Sequence, residues 1–508
     1  MPPLPEHTTL LDLIAGADAH PALLAPGWPA LSYRQLRTNV TELAAQLNSF
    51  GLGRGDRIAI AMGNGPEIIL AFFAAALCGT AAPLNPKYKQ DEFAFYYQDI
   101  HAKALITLPD TMPLAHAAAT PDMAIISAMP QADGTLQFSC KQGVGAPHPA
   151  ELAQPDDVAM ILHTSGTTSR PKRVPLRHRN LVASASNIIA TYSLAPTDTA
   201  LCVMPLFHIH GIVASMLATL ASGGTVVCPE GGFNALEFWR WVETYRPTWY
   251  SAVPTMHQLL LARADRNLDV IHTHPFRFIR SSSAPLPPVV LERLEATFNA
   301  PVLEAYGMTE ASHQMTSNPL PPKPHKAGTV GYGVGVQAAI MDAAGALLAA
   351  GQRGEVVICG PNVIDGYENN PEANASAFVD GWFRTGDQGA IDEQGYLALT
   401  GRLKELINRG GEKISPLEID DVLLRHPAVA EALAFAVPHK TLGEDIHAAV
   451  VLKAPASESE LREHCAARLA EFKVPRVFHI LDEIPRGATG KPQRISMAKA
   501  LGITDANK

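Results

Sequence analysis

The stretch HTSGTTSRPKR, His163–Arg173, packs small hydroxyls, glycine and base more tightly than any other part of the chain. Thr164, Ser165, Thr167 and Thr168 supply four hydroxyls, and Gly166 lies among them. Hydroxyls and backbone N–H groups donate hydrogen bonds, and glycine lets the backbone approach a ligand. Lys172 adds a point charge. Such a loop suits a polyphosphate. It is not a Walker A loop, which needs four residues between Gly and Gly-Lys, followed by Ser or Thr. GATGK, Gly487–Lys491, fails the same test, because only two residues separate its glycines. A bare Ser/Thr/Gly cluster is more often a polar surface turn. The apolar run VAMILHT before this one, and the Pro–Lys after it, shift the balance towards phosphate.

The company it keeps is decisive. YGMTE (Tyr306–Glu310), FRTGDQG (Phe383–Gly389), GRLKELINRGGEKISP (Gly401–Pro416) and GATGK follow downstream. Each is weak alone. In this order and spacing the set resembles the adenylate-forming, AMP-binding superfamily of acyl-CoA synthetases, luciferases and peptide-synthetase adenylation domains, over essentially the whole chain. The resemblance implies two half-reactions. A carboxylate attacks the α-phosphate of ATP, giving an acyl-adenylate and pyrophosphate; a thiol, usually that of coenzyme A, then displaces AMP.

The roles that follow are implied by that resemblance. Thr164 through Lys172, including Ser165, Gly166, Thr167 and Thr168, would embrace the β- and γ-phosphates. Tyr306 would pack on adenine, Thr309 would touch the α-phosphate, and Glu310 would hold Mg²⁺. Ser283, Ala284 and Gly307 would border the nucleotide. Asp387 would accept from the ribose hydroxyls, assisted by Arg402. Lys491 matches the catalytic lysine, Lys404 the hinge, and Gly410 with Gly411 the stretch along which pantetheine reaches the adenylate. An ammonium delivered between the carboxylate and the α-phosphate stabilises the charge that develops there.

The acid pocket reads as polar. By the resemblance, MPLFHIHG puts His208 where the family keeps a substrate-gating residue, with His210 close by. RSSSAPL puts Ser281, Ser282 and Ser283 where many members of that family place Gly or Ala beside the acid, and TEASHQM places His313 three residues after Glu310. A second carboxylate needs partners once it leaves water, and histidine and hydroxyl groups provide them. MPLFHIHG, TWYSAVPTMHQLLL, EAYGMTEASHQMTSNPLP and Ser169 resemble the oxalate–CoA ligase branch, whose acid ligands carry over to His208, Ser283 and His313. The malonate-activating branch has an Arg just before the Tyr of YGMTE; this chain has Ala305 there. Oxalate is therefore the expected acid, with malonate or another small acid as the alternative. A carrier-loading adenylation enzyme and a non-catalytic nucleotide-binding protein stand further off. Arg173, where both branches usually have glycine, is open to three readings: it points into solvent, adds a phosphate contact, or crowds the loop.

The elements that must position these residues are α/β. Gly55–Pro86 and Thr197–Glu230 each read as strand, loop, apolar helix, Gly, strand. Near-continuous apolar strands of this kind are covered on both faces in a parallel sheet. Ligands then sit at the carboxyl ends of the strands. After about Gly331 short β-runs alternate with turn residues, which suggests a smaller, mostly antiparallel subdomain. Beyond Gly401–Lys404 lie β-runs and a helix from Ser457 through Leu469, with a capping box at Ser457 and Glu460. The expected fold is a large N-terminal domain, 1–400, of two α/β subdomains plus a β subdomain, with a small mobile α+β domain at 401–508.

Composition bounds the rest. A chain of 508 residues with net charge −9, 47% hydrophobic and 18% charged, is too long for one core and fits neither disorder nor a fibrous repeat. Its mild acidity argues against a nucleic-acid surface. Six scattered cysteines form no C-x-x-C pair, and read as reduced thiols of a cytoplasmic protein. Ile68–Leu84 approaches membrane length, but Gly79 and Pro83 break it into a buried helix and strand. Neither a signal peptide nor a peroxisomal tripeptide is expected, nor a fused carrier protein.

Overall fold

The computed structural model describes residues 8–164, 171–486 and 492–503. Ser165, Gly166, Thr167, Thr168, Ser169 and Lys491 lie outside the described residues.

The two apolar repeats build two separate sheets. The first gives Arg57–Ile60, helix Pro66–Cys78 and Thr80–Pro83, whose strands pair in parallel in a seven-stranded sheet. Every residue of that helix except Glu67 is buried, as an all-round apolar sequence requires. The second gives Thr199–Leu201 and Thr225–Val227, parallel neighbours in an eight-stranded sheet. Its connecting helix differs from expectation. His210–Leu217 winds as a π-helix and only Ala218–Ala221 is α-helical. Such wide turns recur at functional sites.

The carboxyl ends of strands from both sheets converge on one region. Val158–Thr164 leads into the hydroxyl-rich loop, and Lys172–Arg177 returns antiparallel with Thr164 opposite Lys172. In the other sheet Trp249–Ala252, Phe278–Ser282 and Val302–Met308 run parallel, and His313–Ser317 folds back against the last of them. A continuous core joins the two sheets through Pro66–Cys78 and His178–Tyr192.

An antiparallel sheet of five strands follows, ending at Leu397–Arg402. A second five-stranded sheet begins at Ile407–Arg409. Helices Pro416–Leu424 and Glu458–Ala466 cover it through Ile419, Leu423, Leu461 and Cys465. The capping box at Ser457 and Glu460 is formed. The helix stops at Ala466, three residues short of the expected end, where Arg468 N–H closes a tighter turn on Cys465 O. All six thiols are free. Among the described residues no helix is long and apolar enough to cross a membrane.

Where the second five-stranded sheet meets the eight-stranded one, burial pushes the Glu304 carboxyl up to about 8, with Asp421 opposing its charge. Oε1 accepts from Leu286 N at 3.1 Å, and Oε2 is buried with no close hydrogen-bond partner among the described residues. Between its ordinary 4.5 and about 8, Glu304 is protonated when folded and ionised when unfolded. Unfolding therefore releases a proton in that window, and stability falls as pH rises through it. Glu304→Gln removes the effect. We expect thermal unfolding of the variant to match wild type near pH 5 and to exceed it by about 3 kcal/mol at pH 8. Parallel melting curves at the two pH values would refute the assignment.

Candidate functional site

Thr164 and Lys172 face one another across a register pair at the mouth of the loop. Glu310 lies in a single 3₁₀ turn, Thr309–Ala311, directly after the strand Val302–Met308. It is buried, yet its Oε1 accepts from Tyr367 Oη at 2.8 Å and lies 3.5 Å from Thr164 Oγ1. Lys172 Nζ sits 4.3 Å from the centroid of the same Tyr367 ring. One tyrosine thus ties the carboxylate, the lysine and the loop mouth together. Sequence reading missed Tyr367, because 57 residues separate it from Glu310 and no motif surrounds it.

A second cluster lies at the inner edge of the antiparallel sheet. Tyr306 Oη donates a short hydrogen bond to Asp387 Oδ2. Burial first, and the Asp387 charge next, push the Tyr306 phenol far up, so it stays a donor. Arg402 Nε stands 3.2 Å from Asp387 Oδ1, with its side chain 55% exposed. Register aligns Asp387 with Arg402, so the pair is fixed by the strands themselves. A carboxylate has about four acceptor sites, so Asp387 retains capacity for further hydroxyl donors.

A third cluster carries the polar wall. His210 Nδ1 lies 3.0 Å from Ser283 Oγ, and its ring stacks on His313 at 5.0 Å. His208 Nδ1 accepts from the His210 backbone N–H at 3.3 Å. The half-buried Ala284 follows Ser283. His313 holds φ +101 and Ser312 φ +50, where non-glycine residues are rare. A bulge between Tyr306 and Gly307 allows this turn. A Cβ on Gly307 would stand 1.9 Å from His313 O, so only glycine lets the strands approach here. Strained backbone of this kind persists where the surrounding structure over-determines it. Ser251 and Arg280, on adjacent strands, touch the His210 ring from behind.

Gly410 and Gly411 form the two-residue turn between Ile407–Arg409 and Glu412–Ile414, at φ +62 and +94. Tight hairpin turns of this kind demand positive φ at both central residues. A Cβ on Gly411 would meet open space, so the turn rather than crowding requires glycine in this conformation. Lys404 lies exposed between the two five-stranded sheets.

Two of the three sequence readings of Arg173 fall, since it neither points into solvent nor crowds the loop. It is extended, opposite His163, and its side chain is 14% exposed. NH1 donates to Asp99 O at 2.7 Å and lies 3.6 Å from Glu368 Oε2. Arg57 pairs with Glu368, and His163 Nε2 is 2.9 Å from Asp99 Oδ2. The arginine thus fastens the base of the loop to the helix that holds Asp99.

Among the described residues no group of three His, Cys, Asp or Glu side chains is arranged to hold a metal ion. Mg²⁺ needs no such cage. It keeps its waters and takes one or two carboxylates plus substrate phosphates. Glu310, a buried hard-oxygen donor beside Thr164 and Lys172, fits that pattern.

The chain matches the AMP-binding enzyme model over residues 14–368 and the AMP-binding enzyme C-terminal domain model over residues 418–491. It belongs to the AMP-binding enzyme family. It is 47% identical to a probable CoA ligase, CCL9, of Humulus lupulus, over 94% of this chain and 93% of that one. It is 44% identical to the oxalate–CoA ligase of Arabidopsis thaliana, over 94% and 95%. Its structure resembles that of o-succinylbenzoate coenzyme A synthetase from Bacillus subtilis in complex with ATP and magnesium, with TM-score 0.82 and 30% identity over 96% of this chain and 98% of that one.

Proposed function

We propose that the protein is an ATP-dependent oxalate–CoA ligase. The observation that carries the reading is the donor wall of His208, His210, Ser283 and His313 at the strand ends beside Thr309 and Glu310. Long-chain and aromatic acids need a deep apolar pocket, which these residues do not make. Oxalate keeps a charged second carboxylate that must be hydrogen-bonded when its neighbour reacts. The likeness to the Arabidopsis oxalate–CoA ligase supports the same acid.

In this reading Thr164 to Lys172 hold the β- and γ-phosphates, Thr309 the α-phosphate, and Tyr306 with Gly307 and Ala284 the adenine side. Asp387 and Arg402 hold the ribose. Glu310 binds Mg²⁺, which neutralises phosphate charge when present. His208, Ser283 and His313 orient oxalate so that one carboxylate oxygen attacks the α-phosphorus and pyrophosphate leaves. Lys491 stabilises the charge between them. The second half-reaction joins the coenzyme A thiol to the acyl carbonyl and expels AMP. Residues 401–508 swing about Lys404 between the two steps, and Gly410 and Gly411 border the pantetheine path. The setting is cytoplasmic, which six free thiols support.

The test is coenzyme-A-dependent AMP release with ATP and Mg²⁺ across oxalate, malonate, acetate, a medium-chain acid and a cinnamate. Oxalate is expected to exceed acetate in kcat/KM by about a hundredfold or more, because the polar wall is unmatched without a second carboxylate. Preference for malonate, or turnover of the apolar acids, overturns the oxalate reading.

A further inference from the structure

Arg280 is fully buried on the strand Phe278–Ser282. Among the described residues its guanidinium donates to groups that carry no negative charge. These are Tyr192 Oη at 2.9 Å, Ser251 Oγ at 3.0 Å, His210 Nε2 at 3.3 Å, His313 Nε2 at 3.0 Å and Gln314 Oε1 at 3.2 Å. Among the described residues no carboxylate pairs with it. A buried cation without a counter-charge is costly, and proteins normally pair it.

The hydrogen-bond directions follow from chemistry. Arginine only donates, so Nε2 of His313 accepts, and the proton of the neutral ring sits on Nδ1. Ser251 Oγ likewise accepts from Arg280. Its own proton then points to His210 Nε2, 2.6 Å away. His210 therefore carries its proton on Nδ1 and donates it to Ser283 Oγ at 3.0 Å. Ser283 is left to donate its hydroxyl proton onward. Both chains start at one cation and end in donors on the polar wall. Register places Ser251 opposite Arg280, so the strands fix the first link.

We propose that Arg280, through Ser251, His210 and His313, is the positioning residue that selects a small dianion. It holds both rings as neutral Nδ1–H donors and compensates the charge of the second carboxylate across one layer of side chains. The inference rests on the oxalate reading and assigns its charge recognition to two residues, Arg280 and Ser251. It also accounts for a dicarboxylate site with Ala305 where an arginine is otherwise expected.

The test compares Arg280→Gln, Arg280→Lys and Ser251→Ala with wild type. Arg280→Gln is expected to raise the KM for oxalate about tenfold or more while the KM for ATP stays within about twofold. Arg280→Lys, which keeps the charge, recovers part of that loss. Ser251→Ala, a small change in a folded chain, raises the oxalate KM by a smaller factor. Nitrogen-15 NMR of the wild type should find the protons of His210 and His313 on Nδ1, and the split between the oxalate and ATP KM values is the readout that a merely structural role does not move. Oxalate and ATP KM values that move together in Ser251→Ala and Arg280→Lys overturn the inference, as does a His313 proton on Nε2. Wild type that releases no AMP with oxalate overturns the substrate reading, and the dianion claim with it. Wild-type turnover of oxalate with unchanged KM in every variant overturns the inference alone.

Discussion

Lys491→Ala should slow acyl-adenylate formation by about a hundredfold or more, while thioester formation from preformed oxalyl-adenylate loses far less. The reason lies in where charge develops. As the carboxylate oxygen closes on the α-phosphorus, negative charge spreads over the bridging oxygens, and a fixed ammonium there costs no reorganisation at the moment of reaction. In the second step AMP is already the leaving group, and the thiol attacks a carbonyl activated by the phosphate. Lys491 stands just past Arg486, whose guanidinium pairs with Glu431 at 2.5 Å on the small sheet. Rapid-quench measurement of adenylate and of thioester separates the two steps. Equal losses in both would remove Lys491 from its assigned role.

Local structure was legible where one segment carries the whole message. The alternation of apolar strand, helix and strand announces two parallel units. Both units occur, each in its own sheet. The capping box at Ser457 is equally local, and it forms. What stayed hidden depends on pairing between distant strands. Arg280 precedes the serines of RSSSAPL, yet only the folded sheet, with the π-helix that carries His210 and the strand His313–Ser317 packed near Phe278–Ser282, shows that it faces two histidines. Tyr367 meets Glu310 through a loop of the antiparallel sheet. Arg173 looked like an intruder in the phosphate loop because its partners, Asp99 and Glu368, lie 74 and 195 residues away. Its side chain follows strand alternation away from Lys172, towards the helix that carries Asp99.

Glu310→Gln gives the second large effect. The substitution keeps the shape of the side chain and an oxygen that accepts from Tyr367, so the local hydrogen bond at 2.8 Å survives. What it removes is the negative charge. Beside Lys172, whose ammonium lies on the Tyr367 ring, that charge is the hard anionic oxygen at the loop mouth that a divalent cation requires. We expect kcat for AMP release to fall about a hundredfold or more, and the Mg²⁺ concentration for half-maximal rate to rise. Melting temperature should change little, since no packed atom is lost. Tyr367→Phe is the informative partner. It leaves the charge and deletes only the hydroxyl, so its loss should be about tenfold, the scale of one hydrogen bond to a charged group. A Glu310→Gln enzyme with unaltered Mg²⁺ dependence would mean that the carboxylate serves the fold of the turn and not the phosphates. If instead the two variants fell equally, orientation of Glu310 by Tyr367 would matter as much as its charge. The ratio between them therefore measures how far a buried carboxylate must be aimed, as well as ionised, to handle a polyphosphate.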